Sequence, residues 1–194
     1  MAGSIDVRVL ERFDEDEIRG LTDVLIDCVE SGASVSFMAP LSREKATAFW
    51  RRMAASAQRG ERVVLVASDA SGDLVGTVQV IVDLPENQPH RGDVAKMLVH
   101  RRARRRGVGA ALLTAAERCA MALGKTLLVL DTANDDAERL YARCGWQAVG
   151  RIPNYALYPD GRSCATTFFY KSLEQAAHRQ ATADDETMSR SLVS

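Results

Sequence analysis

The sequence is short of the features that mark specialised protein classes. Its 194 residues include four cysteines, Cys28, Cys119, Cys144 and Cys164, scattered and with no CxxC pair. This fits reduced thiols used as small apolar residues better than a disulfide or zinc framework. The histidines, His90, His100 and His178, form no ligand cluster, so no metal is expected. No apolar run approaches the roughly 20 residues needed to cross a bilayer. The start, Met1-Ala2-Gly3-Ser4-Ile5-Asp6, lacks a basic region followed by an apolar stretch, so neither a membrane nor a secretory route is expected and the chain reads as cytoplasmic. Charge of one sign is lacking too. With 25 basic and 26 acidic residues, the net charge of −1 disfavours a globally basic nucleic-acid binder, and any anion site must be local. No internal repeat is present.

What is there suffices for one ordinary domain, 46% hydrophobic and 26% charged. Val7 to Leu10 reads as a first strand. Asp14 with Glu17 forms a capping box before a helical apolar pattern that Gly32 stops. A second helix opens near Ser42 and ends near Gly60. Strands follow at Arg62 to Ser68 and Leu74 to Val82, joined by an Ala70-Ser71-Gly72-Asp73 turn. Asp93 to Val99 is a strand apolar on both faces except at Lys96. Gly107 to Leu123 is helical, and Thr126 to Leu130 has the continuous apolar run of a central strand. Asn134 caps a helix that ends at Gly145. Trp146 to Val149 and Ala165 to Tyr170 are the last strands, with a Pro159-Asp160-Gly161 turn before the final one. The layout is mixed α/β: one domain over residues 1–173, then a polar, mobile tail at 174–194.

The most informative stretch is Arg101-Arg102-Ala103-Arg104-Arg105-Arg106-Gly107-Val108-Gly109-Ala110. Arginines at a helix start have the wrong sign for the macrodipole and repel one another. The arrangement makes sense if a polyanion rests there, with glycines letting backbone N–H groups approach it. The next helix opens Asn134-Asp135-Asp136 instead, with acids where the dipole favours them. A P-loop fails because Ala110-Ala111 stands where Lys-Ser/Thr is needed. A dinucleotide fingerprint fails because Leu112 replaces its third glycine. An arginine-rich RNA patch is disfavoured, because no aromatic residues are interleaved.

Arg104-x-x-Gly107-x-Gly109 after a strand resembles the acyl-CoA pyrophosphate loop of the GCN5-related N-acetyltransferase superfamily. Leu140-Tyr141-x-x-x-Gly145-Trp146 resembles its second signature. The resemblance runs over about residues 5–172. Gly32 to Met38 and Pro159 to Arg162 further resemble segments of the tabtoxin-resistance acetyltransferases. The resemblance implies a mixed, mostly antiparallel sheet of about seven strands whose two central strands are parallel and splay apart. It implies acetyl-CoA as co-substrate. Backbone groups of Met97, Leu98 and Val99 would hold the acetyl and pantetheine units, and Arg104, Arg105, Arg106, Gly107, Val108, Gly109 and Ala110 the pyrophosphate, with Asn134 also at the cofactor. Two-chain assembly is common in such a family.

Acetyl transfer to an amine needs a neutral nucleophile, a polarised carbonyl and a protonated or stabilised leaving thiolate. Tyr141 is the candidate general acid; its other role is core packing. Asp93 and Asp131, at strand ends flanking the expected splay, are the candidate bases, alongside a water chain with no dedicated base. Ser34, Ser36, Phe37 and Met38, between the first two helices, suit a small zwitterionic acceptor. Trp50, Met53 and Trp146 read as core, and Cys144 has no assigned role. The expected activity is N-acetylation of a small molecule, an amino acid or amino-acid-like antibiotic, by direct attack in a ternary complex. The alternatives are a protein or peptide acetyltransferase and a non-catalytic acyl-CoA-binding module.

Overall fold

The structure, a computed structural model, describes residues 5–173; the tail expected at 174–194 lies outside the described residues. In chain order the elements are β1 (Asp6–Val9), α1 (Glu15–Glu30), α2 (Arg43–Gln58), β2 (Arg62–Ser68), β3 (Leu74–Ile81), β4 (Arg91–Val99), a single 3-10 turn (Arg101–Ala103), α3 (Val108–Ala122), β5 (Leu127–Thr132), α4 (Asp135–Arg143), β6 (Gln147–Leu157) and β7 (Ser163–Ser172). The helix starts are set locally. Asp14, Ser42 and Asn134 each accept a backbone N–H three residues on, satisfying a donor that the first turn leaves open.

The strands form one seven-stranded sheet in the order β1-β2-β3-β4-β5-β7-β6. All neighbours are antiparallel except β4 and β5. The helices cover both faces and make two cores. On one face α3 lays Leu112, Leu113 and Ala116 against Val78, Val80 and Leu128. On the other, α1 and α2 bring Leu21, Leu25 and Trp50 onto Val64 and Val66. Gly76 lets α3 approach β3, since a Cβ there would stand 3.0 Å from both Leu112 Cδ1 and the Leu98 carbonyl.

β4 does not alternate strictly. Gln79 pairs with Ala95 but Thr77 pairs with Leu98, so β4 carries one extra residue. Lys96 takes it up with φ +50°. Side chains therefore change face along the strand: Val94 packs in the α3 core and Leu98 in the α1/α2 core. One expectation needs correcting: β6 does not stop at Val149 but runs to Leu157. Gly150, Pro153 and Asn154 look like strand breakers, yet an edge strand needs only one hydrogen-bonded side. Here β6 absorbs them with bulges against β7.

Candidate active site

The parallel pair is short. β4 and β5 are bonded only at Arg91–Leu127, Gly92–Leu128 and Asp93–Val129, while β4 runs on to Val99 and β5 to Thr132. Beyond Asp93 the β5-facing edge of β4 has no strand partner, so its backbone groups are open to a ligand. A cleft of about 1140 Å³ opens at this fork. Every residue expected at the site lines it except Arg106 and Asp93.

The helix that starts at the cleft differs from its neighbours. Gly107, the residue before α3, takes φ +83° and gives no side-chain cap, and the first turn of α3 holds no acid. By contrast α1, α2 and α4 are each capped by a side chain and carry acids in the first turn. The first N–H groups of α3 are thus left for an external anion. The left-handed φ suits glycine. Gly109 lines the cleft and also packs: a Cβ there would stand 2.8 Å from Leu140 Cδ2, so this glycine brings α3 close to α4.

Within the arginine cluster, three of the five side chains are engaged by the protein, which leaves the backbone N–H groups expected to meet the pyrophosphate as they were. Arg101 pairs with the nearly buried Asp27 through its side chain, and its N–H donates to the same carboxylate at 2.8 Å. Arg102 pairs with Asp69 and Asp73. Arg104 folds back, donating to the Val99 carbonyl (3.1 Å) and to Ser31 Oγ (2.7 Å). Arg105, which lines the cleft, and Arg106 make no ion pair among the described residues. Asp27, Ser31, Asp69 and Asp73, which engage the other three, lie far off in the chain, which is why the run alone looks uniformly available. Asn134 spends its Oδ1 capping α4 through Ala137 N–H at 3.0 Å.

Tyr141 is buried, its ring packed on Trp146 and Phe169 at 5.9 and 5.6 Å between centroids, yet it also lines the cleft. Among the described residues no protein group bonds its hydroxyl. Burial pushes the phenol above its ordinary range, and Asp131 and then Cys144 add to this. Asp131 opens onto the cleft beyond the fork. Desolvation raises its carboxyl, the Lys96 ammonium opposes the rise, and Asp93 adds to it. Asp93 sits deeper, at the last paired register, 3.2 Å from Arg91 and with Oδ1 buried without a partner among the described residues. Asp131 is therefore better placed than Asp93 to meet a ligand.

The α1–α2 segment lines the cleft as expected. Ser34 Oγ donates to the Leu157 carbonyl (2.8 Å), Ser36 Oγ accepts from Lys96 Nζ (3.1 Å), and Phe37 stacks edge-on against Phe49. Two contributions escaped the sequence reading. Tyr155 to Tyr158 of β6 and the turn after it form one wall, hidden because the strand pattern in the sequence ends at Val149. Lys96 stood out as the single polar residue of an apolar strand, but only the bulge shows where its side chain goes. Among the described residues, no group of three potential ligands could hold a metal.

Comparisons with known proteins agree with this geometry. By structure the chain is similar to yncA of Salmonella typhimurium, solved with its cofactor acetyl-CoA (19% identity, TM-score 0.71, 88% of this chain and 94% of that one). It is similar to a phosphinothricin acetyltransferase of Sinorhizobium meliloti in complex with acetyl-CoA (19%, 0.71, 89% of each). A ribosomal-protein-alanine N-acetyltransferase from Brucella melitensis shares the fold as well (20%, 0.71, 86% and 99%). The sequence model of the acetyltransferase (GNAT) family matches residues 27–146, a span that holds the fork, the uncapped helix and Tyr141, and more than half of the chain: the protein belongs to the GNAT acetyltransferase family.

Proposed function

We propose that the chain is an acetyl-CoA-dependent N-acetyltransferase whose acceptor is the amine of a small molecule, an amino acid or amino-acid-like compound, attacking directly in a ternary complex. The residues present fit the cofactor. The free edge of β4 at Met97 to Val99 suits the pantetheine arm, and the unclaimed N–H groups at the start of α3, with Arg105 beside them, suit the pyrophosphate. The two structural relatives solved with acetyl-CoA support this choice.

One observation carries the small-acceptor reading. Ser34 Oγ donates to Leu157 O at 2.8 Å, and Ala39 N–H to Pro159 O at 3.0 Å. These bonds tie the α1–α2 segment to the β6–β7 hairpin, and both segments line the cleft or border it. A peptide acceptor would need an open groove where the tie runs.

Acetyl-CoA supplies the thioester carbonyl and the thiolate that leaves. The chain supplies the rest. Backbone donors on the free edge of β4 polarise the carbonyl. Asp131 takes a proton from the acceptor's ammonium, directly or through water, and leaves the neutral amine to attack; its raised carboxyl brings it nearer the working pH. Tyr141, held protonated by burial, donates to the departing sulfur. The test is a panel of small amines, N-terminal peptides and lysine peptides, read by CoA thiol release. Turnover confined to small amines is expected; turnover confined to peptides overturns the reading.

A further inference from the structure

The acceptor side of the fork holds a cation that acetyl transfer does not itself require. Lys96 is the bulge residue of β4, and escaping strand alternation sends its side chain into the cleft toward α1 and α2. Its Nζ lies 3.1 Å from Ser36 Oγ and 5.9 Å from the centre of the Phe49 ring. An ammonium has three donors. Among the described residues only Ser36 accepts from this one, and Lys96 makes no ion pair. Asp131, whose charge acts on Lys96, faces the same cleft yet stays beyond ion-pair distance. Desolvation holds the ammonium below its ordinary range while Asp131 supports the charged form. A cation and an anion thus face one cleft without touching, beside the aromatic rings of Phe37 and Phe49.

We propose that Lys96 determines acceptor specificity: with Ser36 it binds the carboxylate of an α-amino acid or a close analogue, while Asp131 faces the amine that is acetylated. The two protein charges match a zwitterion of that polarity. A charge-assisted bond to a carboxylate gains strength in a partly dry cleft. The same ammonium repels the second positive charge of a lysine side chain or polyamine, so selection works by rejection as well as attraction. This proposal rests on the small-amine reading above.

The experiment compares pairs of acceptors that differ only in carboxylate against carboxamide, such as an α-amino acid and its amide, in the parent and in Lys96→Met, Lys96→Arg and Ser36→Gly. The amide is the less basic amine and has the larger neutral fraction, so a preference for the acid is not a basicity effect. The parent should favour the acid in kcat/KM by about 10-fold or more. Lys96→Met should bring the ratio close to one through KM, while Lys96→Arg keeps a preference. Ser36→Gly, which suits the +74° φ at that position, should lower the ratio partly and stands in if Lys96→Met fails to fold. Acetyl-CoA affinity by calorimetry reports whether each variant is intact. A parental ratio near one, or a preference that survives in intact Lys96→Met, overturns the proposal while small amines still turn over. Failure of every small amine, with turnover of peptides, is a different result and overturns the underlying reading together with the proposal.

Discussion

Tyr141 suits acid catalysis because it is buried, not because it is acidic. Its phenol is pushed above the ordinary range by burial first and by Asp131 second, so it stays protonated at any working pH and donates only as charge develops on sulfur. No protein group among the described residues uses its hydroxyl, so Tyr141→Phe should leave the melting temperature nearly unchanged. It should lower kcat and kcat/KM together by ~10-fold or more. Parental kcat where chemistry limits the rate would return Tyr141 to a packing role. Asp131 allows a prediction with a sign. A base works when ionised, so activity falls as pH falls through its carboxyl pKa, which desolvation raises. Asp131→Asn should lose turnover and this acidic limb while keeping acetyl-CoA affinity. Asp93 also raises Asp131, so Asp93→Asn should move the limb to lower pH rather than abolish it. A pH–rate profile unaltered in both variants would mean deprotonation through water alone.

Among the elements, the loop before α3 and the close approaches around it divide into binding and packing roles. Gly107 has φ +83° with nothing within 4 Å of a Cβ. Gly107→Ala therefore costs backbone strain of ~1 kcal/mol, and a loop that relaxes to escape it must be restored on binding, expected as about five-fold weaker acetyl-CoA binding in calorimetry. Gly76→Ala instead drives a Cβ onto backbone and onto Leu112, and should cost ~1–3 kcal/mol of stability in chemical denaturation. Local chemistry made most elements readable from sequence: Asp14, Ser42 and Asn134 announce helix starts, and all three cap in the structure. β6 was not readable past Val149, because an edge strand bonded on one side carries no alternating apolar pattern. The role of Gly109 was hidden for a related reason, since its neighbour Leu140 belongs to another helix.

For the whole molecule, charge is placed rather than spent at random. The net charge is −1, yet Arg105 and Arg106 project beside an uncapped helix while Arg101, Arg102 and Arg104 hold the surrounding turn through Asp27, Asp73, Ser31 and Val99. Arg105→Ala should weaken acetyl-CoA binding and flatten its dependence on salt, whereas Arg102→Ala should change neither by much. Equal effects in calorimetry across a salt series would contradict that division. The motifs pointed to the right end of the right helix. They could not divide the labour among the arginines, because Asp27, which holds Arg101, and Ser31, which accepts from Arg104, sit 74 and 73 positions away.

The extra residue of β4 makes the strand behave like a message with a frame. Before Lys96 the even-numbered Val94 belongs to the α3 core; after it the even-numbered Leu98 belongs to the α1/α2 core. No substitution at Lys96 changes that assignment. Deleting the one residue would not change it either: Met97 would then follow Ala95, and plain alternation keeps Met97 and Val99 on the α3 side and Leu98 on the other. Both cores would keep their frame, and what would be lost is the one point at which a side chain leaves the alternation and enters the cleft. The extra letter is silent for packing and is read only by the cleft.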